Sequence, residues 1–134
     1  MEERIIYITR KAKFSAAHRL LNKKFAEDKN RKIFSKCYDL HGHNYHLEIT
    51  LKAAIDPDTG MLINFTDLKE VIYRNIILKF DHKYLNDLEE FKDVIPTAEN
   101  IAYVSWQLLK PDLGEKLYEV KVFETNNSFV SYKG

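Results

Sequence analysis

The stretch His41-Gly42-His43-Asn44-Tyr45-His46-Leu47-Glu48-Ile49-Thr50-Leu51-Lys52 decides how this chain is read. From His43 onward, Tyr45, Leu47, Ile49 and Leu51 fall on one side, and His46, Glu48, Thr50 and Lys52 on the other. A period of two marks a half-buried β-strand. His41 and His43 share the parity of the apolar set, so both imidazoles leave from the buried face. Gly42 keeps the far side uncluttered and lets backbone approach closely. Buried polar rings need partners, and one shared metal ion satisfies both. A pair of ordinary core or surface histidines is the plainer alternative. His46 has the opposite parity and reads as solvent-facing.

Upstream, Ile5 to Ala17 mixes β-branched and aromatic residues with basic ones and predicts a strand. His18 closes it, and becomes a third ligand candidate if this segment pairs with the first. Three histidines with a fourth position open is the pattern of a catalytic zinc. Between the two strands lie a polar stretch, Asn22 to Asn30, and a short helical turn over Arg31-Lys32-Ile33-Phe34. Cys37 sits shortly before His41. A lone cysteine is usually a small buried hydrophobe, but beside a divalent cation the thiolate is favoured, so packing and chemistry are both open.

Downstream, Asp56-Pro57-Asp58-Thr59-Gly60 is a turn, returning into a short extended piece, Met61-Leu62-Ile63. Asn64 can cap a helix carrying Phe65, Leu68, Val71, Ile72 and Ile76 at helical spacing, with Asp67 at its positive end. Asp81-His82 follows; a carboxylate can orient an imidazole, although a solvated loop is the default for such a pair. Thr97 caps a second helix with Glu99 in its first turn, where an acidic charge is already favourable. Pro111 is expected to stop it. Leu117 to Thr125 and Phe129 to Tyr132 complete the strands. In Tyr118-Val120-Val122-Glu124 the carboxylate takes the apolar parity, so it is paired with an internal cation or reserved for a ligand. A ligand with two parallel N–H groups would suit it.

The order β, β, α, α, β, β predicts an α+β fold, an antiparallel sheet with helices on one face. The whole chain, 134 residues, reads as a single domain spanning 1–134. Its 21 basic and 20 acidic side chains give no global field for nucleic acid or an anionic membrane. Its single cysteine cannot form an intrachain disulfide. Apolar runs such as Ile5-Ile6-Tyr7-Ile8 fall far short of the ~20 residues of a membrane span. Met1-Glu2-Glu3-Arg4 shows no leader pattern, and the expectation is a soluble, cytoplasmic protein.

Taken together these residues resemble the 6-pyruvoyl-tetrahydropterin synthase and 6-carboxytetrahydropterin synthase family. The likeness runs through Phe14-Ser15-Ala16-Ala17-His18, Cys37 to Tyr45, Asp56 to Met61, Asp67-Leu68-Lys69, Asp81-His82-Lys83-Tyr84-Leu85, Pro96 to Asn100, Glu124-Thr125 and Tyr132-Lys133-Gly134. It implies a T-fold: a four-stranded antiparallel sheet with two helices on one face, three sheets joining into a barrel, and two trimers stacking into a homohexamer. It also implies zinc at His18, His41 and His43, a catalytic thiol at Cys37, and assistance from Asp81 and His82 of a neighbouring subunit. By the same likeness Glu124 anchors the pterin ring, and Thr97 and Glu99 border its pocket.

The substrate so implied is 7,8-dihydroneopterin 3'-triphosphate, and the activity a zinc-dependent lyase. Three residues separate Cys37 from His41, which resembles the 6-carboxytetrahydropterin synthases of the queuosine pathway. That product, with acetaldehyde released, is ranked first. The distance from His18 to Cys37, and Asn64, resemble the 6-pyruvoyl enzymes of tetrahydrobiopterin synthesis, ranked second. A zinc hydrolase and a non-catalytic pterin-binding module are the readings from other classes; the first lacks a His-Glu-x-x-His helix.

Overall fold

A computed structural model describes residues 3–134; Met1 and Glu2 lie outside the described residues. Strand β1 (Ile5–His18) pairs antiparallel with β2 (His41–Ala54), in a register that sets His18 opposite His41 and Ala16 opposite His43. Strand β4 (Leu117–Thr125) lies on the other side of β2, and β5 (Ser128–Tyr132) beyond it. The sheet has five strands rather than the expected four, in the order β3-β1-β2-β4-β5. The addition is β3 (Lys83–Tyr84), parallel to Ala16 and Ala17 of β1. Two residues are too few to show any periodicity in sequence.

One face of the sheet is apolar. Phe14, Tyr45, Leu47, Ile49, Leu51, Val120 and Val122 are buried there against helices. Helix α2 (Phe65–Ile72) starts as expected, with Asn64 Oδ1 accepting from Thr66 N–H at 2.8 Å. It continues through a π-helical turn (Tyr73–Ile77) into α3 (Leu78–Phe80), burying Leu68, Ile72, Ile76 and Phe80. Helix α4 (Ala98–Leu113) buries Ile101, Leu109 and Leu113. A separate helix, α1 (Glu27–Phe34), starts earlier than its apolar residues suggest. Asn30 anchors it, its buried amide bonding both N–H and C=O of Asn22.

Three local expectations are corrected. Pro111 does not stop α4; it lies inside the last turn, and the chain leaves the helix at Gly114 with φ 56°. Met61-Leu62-Ile63 is a bend rather than an extended piece, with Met61 C=O accepting from Asp56 N–H. The ladder between β2 and β4 shifts register at Thr50/Leu51, so Leu117 pairs with Leu51. That irregularity moves Tyr118 off the apolar parity and onto Tyr7, ring centroids 5.0 Å apart. No helix among the described residues is long and apolar enough to cross a membrane.

Candidate active site

The pairing of β1 with β2 brings His18, His41 and His43 together at one end of the sheet. One nitrogen from each lies within 4.8 Å of the others. Two of the rings are aimed by a defined contact. His18, fully buried, has Nδ1 2.7 Å from the carbonyl oxygen of Pro96. His41 Nδ1 lies 2.7 Å from the carbonyl oxygen of Asp39. A carbonyl can only accept, so both Nδ1 atoms carry the proton and both Nε2 atoms present a lone pair. Backbone carbonyls holding ligand imidazoles in this way are the usual outer support of a metal site.

His43 supplies a second indication. Its Nε2 is buried and has no hydrogen-bond partner, an uncommon state for a buried polar atom. Glu124 Oε1 lies 3.5 Å away, too far to satisfy it. Burial is the main reason that the pKa values of His18 and His43 are lowered; Glu124 partly opposes this in both. Rings held neutral by burial are already in the form that binds a metal. The donor set therefore fits a zinc ion: three imidazoles, two with Nδ1 held by a backbone carbonyl and one with a buried, unpaired Nε2.

Tyr45 floors the cluster, a contribution the sequence reading did not assign. Its buried hydroxyl lies 3.2 and 3.3 Å from the two nitrogens of His18, and its ring meets that of His18 edge-on. Burial pushes this phenol far above its usual range, so it stays protonated. Its shared parity with His41 and His43 was the available signal.

Cys37 sits in a 3₁₀ turn, Ser35–Tyr38, half-buried, and its C=O accepts from Leu20 N–H at 2.8 Å. That bond ties the cysteine turn to the chain just beyond His18. Thr97 caps α4 through Asn100 N–H, and it follows the Pro96 carbonyl that orients His18. Glu99 is exposed in the first turn and makes no ion pair among the described residues.

Asp81 and His82 form a pair of their own. Asp81 Oδ2 is 3.0 Å from His82 Nδ1, and Oδ1 accepts from Ser15 N–H at 2.9 Å. The Ser15 amide is the first cause holding the Asp81 carboxyl below its ordinary value, with His82 adding to it. His82 has φ 59°, a left-handed conformation uncommon outside glycine, fixed by its N–H bonding Ser15 C=O. Its side chain is 83% exposed. It borders a cleft with Ser15, Ala17, Gly42 and Asn44, and with His43 of the triad.

The family model described as 6-pyruvoyl tetrahydropterin synthase matches residues 7–134. The chain belongs to this family. A 6-pyruvoyl tetrahydrobiopterin synthase of Dictyostelium discoideum is 45% identical over 132 residues, covering 98% of each chain. A 6-carboxy-5,6,7,8-tetrahydropterin synthase of Rickettsia typhi is 33% identical, covering 94% of this chain and 99% of its own. The structure of the Caenorhabditis elegans 6-pyruvoyl tetrahydropterin synthase superposes with a TM-score of 0.94 at 34% identity, covering 100% of this chain and 99% of the other. The subunit is accordingly a T-fold, and the family is one of pterin-forming synthases, lyases by class. The pyruvoyl product, ranked second from the sequence, has the better backing: the higher identity is to an enzyme named for it.

Proposed function

We propose that this protein converts 7,8-dihydroneopterin 3'-triphosphate to 6-pyruvoyltetrahydropterin with elimination of triphosphate. One observation carries the choice of product: 45% identity over 98% of both chains to a 6-pyruvoyl tetrahydrobiopterin synthase. The ring goes from dihydro to tetrahydro while the side chain goes from diol to diketone. The redox change is therefore internal and needs no outside oxidant.

His18, His41 and His43 would hold the zinc. Bound there, it would polarise the side-chain hydroxyls and acidify the adjoining C–H. Cys37, tied beside His18 through Leu20, takes up that proton as thiolate. His82 Nδ1–H donates to Asp81 Oδ2, leaving Nε2 free to pass protons as triphosphate departs. Glu124 accepts two parallel N–H bonds from the pterin ring, fixing which proton meets the base. Thr97 and Glu99 border the ring pocket.

The exposure of His82 supports a site completed across subunits, in which the Asp81–His82 pair of one chain serves the triad of another. The sheet also ends in unpaired edges. β5 pairs only with β4, and the first part of β1 pairs only with β2. Ile5, Ile6, Tyr7 and Phe129 are exposed on these two outer strands. A trimer closing its sheets into a barrel, and a hexamer of two such trimers, would cover them. Light scattering on the purified protein measures that mass directly.

A second reading has one observation behind it. The three residues between Cys37 and His41 fit a 6-carboxytetrahydropterin synthase, which would release acetaldehyde. The deciding experiment incubates the zinc-loaded protein with dihydroneopterin triphosphate, weighs the pterin product and assays acetaldehyde. The pyruvoyl mass without acetaldehyde is expected. Acetaldehyde with the carboxy mass selects the second reading, and no turnover by an assembled, zinc-loaded sample overturns both.

A further inference from the structure

The segment between the thiol and the triad is pinned at three successive carbonyls. Cys37 C=O accepts from Leu20 N–H at 2.8 Å, Tyr38 C=O from Arg19 Nε–H at 2.8 Å, and Asp39 C=O from His41 Nδ1–H at 2.7 Å. The side chain in the middle is clamped as well. The guanidinium carbons of Arg19 and Arg31 lie 4.6 and 4.7 Å from the centroid of the Tyr38 ring. Arg31 Nη1 further donates to Asp39 Oδ2 at 2.9 Å, so of the two cations on the ring one also holds the Tyr38 carbonyl and the other its neighbour Asp39. Cation–π contacts attract through the quadrupole of the ring, so they depend on an aromatic side chain at this position and not on its hydroxyl.

We propose that Tyr38 is a positioning residue, whose ring, clamped by Arg19 and Arg31, fixes the Cys37 thiol and the His41 imidazole relative to one another. Without the ring, Arg19 and Arg31 lose their common partner. The turn then keeps only its separate hydrogen bonds, with nothing stacking the two guanidinium groups against it. Asp39 C=O, which fixes the tautomer of His41, is the next atom group along the chain. A loosened turn therefore disturbs both the base and the metal ligand, although Tyr38 itself belongs to neither. The inference rests on the roles proposed above for Cys37 and His41, and its readouts separate the two claims.

The test compares Tyr38→Ala, Tyr38→Phe and Arg31→Met with the parent protein. Zinc-free samples are alkylated with iodoacetamide, and zinc affinity is measured by competition with a chelator. For Tyr38→Ala, Cys37 is expected to alkylate about 3- to 10-fold faster as the turn opens. Zinc affinity should fall roughly 10-fold, the low end for loss of an outer partner of a ligand. In turnover, kcat should fall ~10- to 100-fold with KM little changed, as expected when a catalytic group is misplaced. Tyr38→Phe should match the parent in every readout, and Arg31→Met should shift each the same way by less. An alkylation rate and zinc affinity in Tyr38→Ala within twofold of the parent would overturn the proposal. So would a Tyr38→Phe variant as impaired as Tyr38→Ala. Alkylation and zinc binding require no pterin chemistry, so they decide the role of Tyr38 even if the proposed reaction fails. Should Tyr38→Ala not fold, Arg31→Met carries the same comparison.

Discussion

His43 Nε2 and Glu124 Oε1 lie 3.5 Å apart at the buried end of the sheet, and no hydrogen bond joins them. A buried nitrogen in this state is costly unless something else takes its lone pair. A bound zinc would fill that requirement, and one nitrogen each of His18, His41 and His43 lies within 4.8 Å of the others. His43→Ala should therefore weaken zinc binding by more than about 100-fold, beyond what losing an outer partner of a ligand costs. Chelation of the parent protein should abolish turnover, and added zinc should restore it. Stability should rise with the metal by about 2.7 kcal/mol at a hundredfold excess over Kd, read as a shift in Tm. A His43→Ala protein that keeps one tightly held zinc per chain would contradict this account.

Glu124 has the neighbouring role with a different signature. Its carboxylate is close to His43 but is proposed to serve the pterin, not the metal. Glu124→Gln keeps the shape and removes the charge that two N–H donors would share. The expected loss is about 1.5–3 kcal/mol of substrate binding, or roughly 10- to 100-fold in KM. Zinc content, measured by mass spectrometry of the native protein, should not change. Loss of zinc without a KM effect would move Glu124 into the metal site.

Cys37 is separated from both by function. Cys37→Ala removes a proposed base while leaving the triad, its two backbone carbonyls and the Glu124 carboxylate in place. The expectation is a fall in kcat of ~10²–10⁴, typical of a missing general base, with zinc content and KM near the parent values. Turnover that survives the substitution would assign proton removal elsewhere.

How much of this could be read from the chain depends on the range of the signal. The parity of His41, His43 and Glu124 was legible because alternation along one strand is a local property. His18 needed only the pairing of two recognisable strands. What escaped was carried by backbone or by register. The carbonyls of Pro96 and Asp39 that fix two tautomers belong to no residue type, and β3 has only two residues. Tyr118 was misplaced because the register shift opposite Thr50/Leu51 leaves no trace in composition. Pro111 misled because the helix runs two residues past it, to Leu113, before Gly114 turns the chain. The exposed placement of His82 goes with a positive φ held by Ser15, sixty-odd residues upstream in sequence and adjacent only in the fold.

Asp81 gives a prediction whose sign can be worked out. Its carboxyl lies below the ordinary value chiefly because the charged form accepts the Ser15 amide, with His82 as a further contributor. A group with a depressed folded pKa adds stability that is present above the unfolded value, about 3.9, and lost as pH falls through the folded one. Asp81→Asn should thus be less stable than the parent at pH 7. The gap should hold down to about pH 4, shrink below it, and vanish once Asp81 is protonated in the folded protein as well. Denaturant midpoints for both proteins at pH 7 and across the acid range measure this. A gap that stayed constant into acid would mean that the Ser15 contact contributes through shape alone. His82 is largely exposed, and its ion pair with Asp81 is open to screening, so added salt should narrow the neutral-pH gap only slightly while the amide bond persists.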